Sequence, residues 1–137
     1  MGLMRATREN TLKILFQQEF TQNPLDESLK HFREYFIKDE PVNWEFIQAV
    51  TSYVHAHRED LDQQIASLAN NWKLERLALV DLLLLRIAIA EIKLNLTPFK
   101  VAINENLEVA KVYSSKDSVG FINGVLDQWG KEHGATE

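Results

Sequence analysis

Cysteine is absent from the 137 residues, so no disulfide, zinc–thiolate centre or thiol nucleophile can be built, and a reducing compartment is the natural setting. The five glycines form neither a phosphate-cradling loop nor a dinucleotide-binding turn, and no serine sits in a Gly-x-Ser-x-Gly elbow. No segment alternates with the two-residue period of a strand. Long apolar runs are missing too. The longest, LALVDLLLLRIAIA at 77–90, falls short of the roughly 20 residues a bilayer span needs and carries Asp81 and Arg86. The first residues lack the apolar stretch of a signal peptide, and Ala6 stands where a myristoylation signal wants Ser or Thr, so the cytoplasm is the expected compartment, with no membrane.

Four histidines are present, none in a His-Glu-x-x-His spacing; His55 and His57 on one helix would point roughly 200° apart, too far to share an ion. Neither a metal nor a cofactor is expected. The carboxylate pairs Glu105 with Glu108 and Glu59 with Asp62 have no attendant nucleophile and read as solvated helix faces. An enzyme is therefore not expected.

What the chain does have is helical periodicity. Apolar residues recur three and four apart at Leu12, Leu15, Phe16 and Phe20 within 4–20, and at Leu29, Phe32, Tyr35 and Phe36 within 25–37. A third helix, with Pro41 in its first turn, carries Trp44, Ile47, Val50 and Val54; a fourth carries Leu61, Ile65, Leu68 and Ala69. The run at 77–90 is apolar on nearly every face, which predicts a helix surrounded by other helices. Segments 99–113 and 118–129 complete about seven helices, with Ser115 or Asp117 placed to accept from free N–H groups at the start of the last one. The expectation is a single all-α unit over 1–137, with a frayed tail at 131–137.

Gly120 and Gly124 lie one turn apart in the last helix, where each costs about 1 kcal/mol relative to alanine. Close approach of another backbone, from within the chain or from a partner, is the simplest account. Asn104 and Asn123 would each need hydrogen-bond partners if buried. Charge is distributed unevenly: residues 1–18 carry Arg5, Arg8 and Lys13 against Glu9, a net +2, while the remainder carries −7. A basic helix face on an otherwise acidic body can confine a polyanion to one track; the alternative is that these arginines merely solvate the back of the helix.

The stretch VAINENLEVAKVYSSKDSVGFINGVLD at 101–127 resembles the C-terminal signature of the NusB family of bacterial transcription antitermination factors. WKLERLALVDLLLLRIAIAEI at 72–92 is similar to the family's central elements through Trp72, Arg76, Asp81, Arg86 and Glu91, and RATRENTLKILFQQEF has the shape of its first helix. The resemblance implies two small, roughly perpendicular helical subdomains sharing one core. It also implies a non-enzymatic factor that pairs with small-subunit ribosomal protein ten and binds boxA-type single-stranded RNA of ribosomal leader transcripts, within the RNA polymerase antitermination complex.

Carried onto matching positions, the resemblance assigns Arg5, Arg8, Lys13, Lys116, Asp117 and Phe121 to RNA, and Glu75, Arg76 and Asp81 to the protein partner. Arg86 and Glu91 read as internal polar anchors. If the three N-terminal cations each neutralise one phosphate, the log–log salt slope is only about −2. The alternatives are a helical self-association module, with a homodimer formed through the Gly120–Gly124 face or the first helix, and a stand-alone RNA-binding domain related to that of ribosomal RNA cytosine methyltransferases.

Overall fold

The computed structural model describes residues 2–37, 39–69 and 77–135. Among them the chain forms seven helices and no strand: α1 (Leu3–Gln18), α2 (Leu25–Tyr35), α3 (Trp44–Ala56), α4 (Arg58–Leu68), α5 (Leu79–Lys93), α6 (Phe99–Tyr113) and α7 (Lys116–His133). The periodic segments read from the sequence are these helices, to within a few residues at their ends. Pro41 lies ahead of α3 instead of in its first turn, and Asn43 caps that helix, its side-chain oxygen accepting from the Phe46 N–H at 3.1 Å. Ser115 caps α7 in the same way, accepting from the Ser118 N–H at 3.1 Å. Of the tail expected to fray, the described residues 131–135 are ordered as a helix end: α7 continues to His133, then Gly134 turns left-handed at φ 67° and the Ala135 N–H returns to the Gly130 carbonyl at 2.8 Å.

Every residue of α5 from Asp81 to Glu91 is buried, because α1, α3, α4, α6 and α7 all pack around it. Its leucines and isoleucines join Leu12 and Leu15 of α1, Val50 of α3, Ile65 of α4, Val109 of α6 and Trp129 of α7 in one continuous core. A smaller cluster of Ile14, Leu29, Phe32, Ile37 and Ile47 fastens α2 to α1 and α3.

The face that α1 turns inward differs from the expected one. Thr7, Arg8, Asn10, Thr11, Leu12, Ile14 and Leu15 are buried, an arc of roughly 200° at 100° per residue. Phe16 and Phe20 lie outside it, 40% and 73% exposed, and pack on each other with ring centroids 5.2 Å apart. The reason is that α1 packs against α5 and also against α2 and α3, so its buried arc is too wide for the apolar residues to fill. The threonines fit there because their hydroxyls donate back to the helix, Thr7 to Leu3 O and Thr11 to Thr7 O, both at 2.8 Å. Tyr35 and Phe36 at the end of α2 are likewise exposed.

The glycines also differ from expectation. A methyl group added at Gly120 or Gly124 would meet nothing within 4 Å, whereas at Gly130 it would overlap the Phe99 ring of α6. Close approach is thus needed one turn and a half further along α7. We expect Gly130→Ala to lower unfolding free energy by about 1–3 kcal/mol through overpacking, and Gly120→Ala to raise it by about 0.5–1 kcal/mol. Urea titration of the two variants checks both signs.

Candidate nucleic-acid interface

A polyanion needs cations that can leave their own partners, so the arginines of α1 are separated first by what holds them. Arg8 is 2% exposed. Its Nη2 donates to Glu91 Oε1 at 2.6 Å and its Nε to Glu91 Oε2 at 3.2 Å, a two-point grip across α1 and α5. Nη2 also reaches Thr97 Oγ1 at 3.3 Å, and the guanidinium lies 5.4 Å from the centre of the Phe46 ring. Glu91 accepts a further bond at 2.8 Å from Asn106 Nδ2, which donates to Ala102 O as well. The reading of Arg8 as a phosphate ligand is corrected accordingly: withdrawing it would strand a buried carboxylate. It is an anchor.

Arg86, expected to be an internal anchor, is one: its Nε and Nη2 grip Asp62 at 2.9 Å each, and Nη1 donates to Glu19 at 3.3 Å. Asp62 therefore belongs to this clamp between α4 and α5 and not to a solvated carboxylate pair. Asn104 and Asn123 are exposed, and the asparagines that need partners are Asn10 and Asn106.

Arg5 is held differently. Its Nη2 stands 3.7 Å from Glu108 Oε1, beyond hydrogen-bonding distance, and its Nε–H is buried without an acceptor. It lines an open hollow of about 570 Å³ between α1, α6 and α7, together with Asn104, Glu105, Glu108, Lys111 and Val119. Lys111 Nζ donates to Glu108 Oε2 at 2.5 Å. That bond, then the Lys111 charge and more weakly the Arg5 charge, outweigh a small desolvation penalty and hold the Glu108 carboxyl below its usual range. From sequence, Glu108 reads as part of a solvated pair with Glu105 and Asn104 as a candidate buried amide, and Lys111 is left out, although spacings of four and three put Asn104, Glu108 and Lys111 on one face of α6.

Further along, α7 begins with exposed Lys116 and Asp117, the latter favourably placed in the first turn of a helix. Phe121, one turn on, is half-buried and packs against the main core. It borders a second hollow of about 250 Å³ with Leu77, Asp81, Ser115, Asp117 and Ser118. Asp81 is thereby brought beside two of the residues assigned to RNA. It is 5% exposed, and its two oxygens accept from the Ser114 and Ser118 hydroxyls at 2.5 Å each. Both of its oxygens are thus committed to the α6–α7 turn. Glu75, Arg76 and Trp72 lie outside the described residues. Lys13 is exposed on α1, roughly 12 Å along the helix axis from Arg5 at 1.5 Å per residue, and does not line the Arg5 hollow.

Among the described residues no cluster of three or more histidines and carboxylates could hold a metal ion, and no helix is long and apolar enough to cross a membrane. His57 and His133 instead stack on Tyr53 and Trp129, with ring centroids 4.1 and 4.4 Å apart.

The sequence profile of the NusB family matches residues 5–131. The chain is 41% identical to the transcription antitermination protein NusB of Trichlorobacter lovleyi over 129 residues, covering 93% of this chain and 90% of that protein. The same-named protein of Bdellovibrio bacteriovorus is 38% identical, with 94% and 96% covered. The solved structure of T. maritima NusB superimposes with a TM-score of 0.76 at 31% identity, over 93% of this chain and 90% of that one.

Proposed function

The chain belongs to the NusB family, and from that premise we propose that this non-enzymatic transcription antitermination factor binds boxA-type single-stranded RNA together with small-subunit ribosomal protein ten, in the cytoplasm, as one RNA- and protein-binding unit. The observation that carries the RNA reading is the contrast within α1. Arg8 is committed to Glu91, while Arg5, one turn earlier, keeps its hydrogen-bonding donors uncommitted at the rim of an open hollow. Val119 of α7 lines that hollow, and Asp117 and Phe121, two residues to either side, border the next one. The RNA track accordingly runs from Arg5 across the first two turns of α7, past Lys116, with Lys13 as an outlying contact.

Such a track works by neutralising phosphates with few cations on an acidic body, so affinity depends on salt and on the partner's added contacts. Charge reversal at Arg5 tests it. Arg5→Glu in the complex with ribosomal protein ten is expected to weaken boxA RNA binding at least about tenfold near 0.1 M salt, since a cation–phosphate contact becomes a repulsion. The far-ultraviolet dichroism should be unchanged, because the ion pair lost is long, at 3.7 Å, and its carboxylate is open to solvent. Undiminished affinity in fluorescence anisotropy would remove α1 from the RNA track.

A further inference from the structure

We propose that Arg5 and Lys111 form a binding site for one backbone phosphate of the RNA, and that the Glu108 carboxylate occupies this site in the free protein, so that Glu108 limits RNA affinity. The inference rests on the RNA-binding reading above and adds to it a site and a competitor. Two cations from different helices, Arg5 of α1 and Lys111 of α6, converge on one carboxylate, at 3.7 and 2.5 Å. A carboxylate and a phosphate present similar paired oxygens to such cations.

Three features distinguish this ion pair from a structural one. The carboxylate can leave: its side chain is 40% exposed, against 0% for Glu91 in the Arg8 pair. One of the two cations is not satisfied by it: Lys111 donates to Glu108, but Arg5 makes no hydrogen bond to it and leaves a buried Nε–H without an acceptor, a donor that an incoming oxygen would meet. There is room: the hollow holds about 570 Å³ and carries the exposed amide of Asn104 as a further donor. Glu105, also on its rim, keeps the empty site from being strongly cationic.

Glu108 stays ionised at physiological pH, because Lys111 holds its carboxyl below the usual range. It therefore competes with full charge, and RNA binding exchanges one anion for another. The Glu108 side chain swings into water as the phosphate enters, and its exposed pairs contribute little to stability.

The test is anisotropy of a labelled boxA oligonucleotide, titrated into the complex of this chain with ribosomal protein ten at several salt concentrations. Glu108→Gln keeps the shape and removes the charge. It is expected to tighten binding about three- to tenfold near 0.1 M salt, from release of the two ion pairs of Glu108 and loss of carboxylate–phosphate repulsion. Lys111→Gln is expected to weaken binding and to make the log–log salt slope shallower by about 0.7, one phosphate contact on a single strand. Neither variant should shift the unfolding midpoint in urea, a readout that a structural role would move. Unchanged or weaker binding by Glu108→Gln, or an unchanged slope for Lys111→Gln, overturns the site. If the parent complex binds the RNA and Arg5→Glu weakens it, the wider reading stands without this site; a parent complex that binds no boxA RNA overturns both.

Discussion

Arg8→Ala is expected to lower the unfolding free energy by about 3–5 kcal/mol, the cost of leaving one member of a buried ion pair unpaired. Glu91 is fully buried and accepts from Arg8 twice and from Asn106 once. Removing the guanidinium takes two of three donors from a carboxylate that water cannot reach, and also empties the volume between Phe46 and Thr97. Arg8→Lys should recover only part of the loss, since an ammonium cannot reproduce the two-point grip. Removing both charges with Arg8→Met and Glu91→Leu should cost less than Arg8→Ala alone, because no buried charge is then stranded. Urea denaturation of the three variants measures this ordering; an Arg8→Ala protein as stable as the parent would mean that the pair does not hold α1 to α5. The contrast with Arg5→Glu is the practical consequence. One arginine is expected to affect stability and the other RNA affinity, so a combined charge reversal of both would unfold the chain and report nothing about RNA.

The two arginines show where reading from sequence stops. Helical periodicity placed all seven helices, and the all-round apolarity of residues 77–90 correctly made α5 the centre, because both follow from local spacing. Which arginine of α1 turns inward does not follow from spacing, since the two are three residues apart on the same helix. It is decided by Glu91, 83 residues away, whose buried carboxylate requires a cation. Likewise Asp62 looked like one half of a surface pair with Glu59 until Arg86, 24 residues on, claimed it. The inward face of α1 was misjudged because apolar residues were counted and self-bonding threonines were not. Gly120 and Gly124 drew notice by their spacing, but the tight contact belongs to Gly130, which only the Phe99 ring reveals. Glu108 reads from spacing as a partner of Glu105, and Lys111 does not stand out at all, because the significance of both comes from Arg5, on another helix.

Asp81→Ala should cost about as much as the loss of Arg8, for a different reason. Asp81 stands in the first turn of α5 and accepts short bonds from Ser114, just past the end of α6, and from Ser118, in the first turn of α7. Hydrogen bonds to a charged group contribute about 1.5–3 kcal/mol each, so losing both costs on the order of 3–6 kcal/mol. The loss should be strongly non-additive with Ser118→Ala, because the two residues share one bond. Placement also separates two ways in which Asp81 can influence the proposed ribosomal partner. If its charge touches the partner directly, Asp81→Asn lowers affinity in calorimetry while Ser118→Ala does not. If it acts by holding the α6–α7 turn, Ser118→Ala reproduces most of the loss. With 5% exposure and both oxygens occupied, Asp81 has little to offer a partner directly, and the second outcome is expected. Full-strength binding by Ser118→Ala beside weakened binding by Asp81→Asn would place Asp81 in the interface itself. The same turn carries Lys116 and Asp117, so on the proposed reading a loosened turn should weaken boxA RNA binding in parallel, linking the two proposed partners through one buried carboxylate.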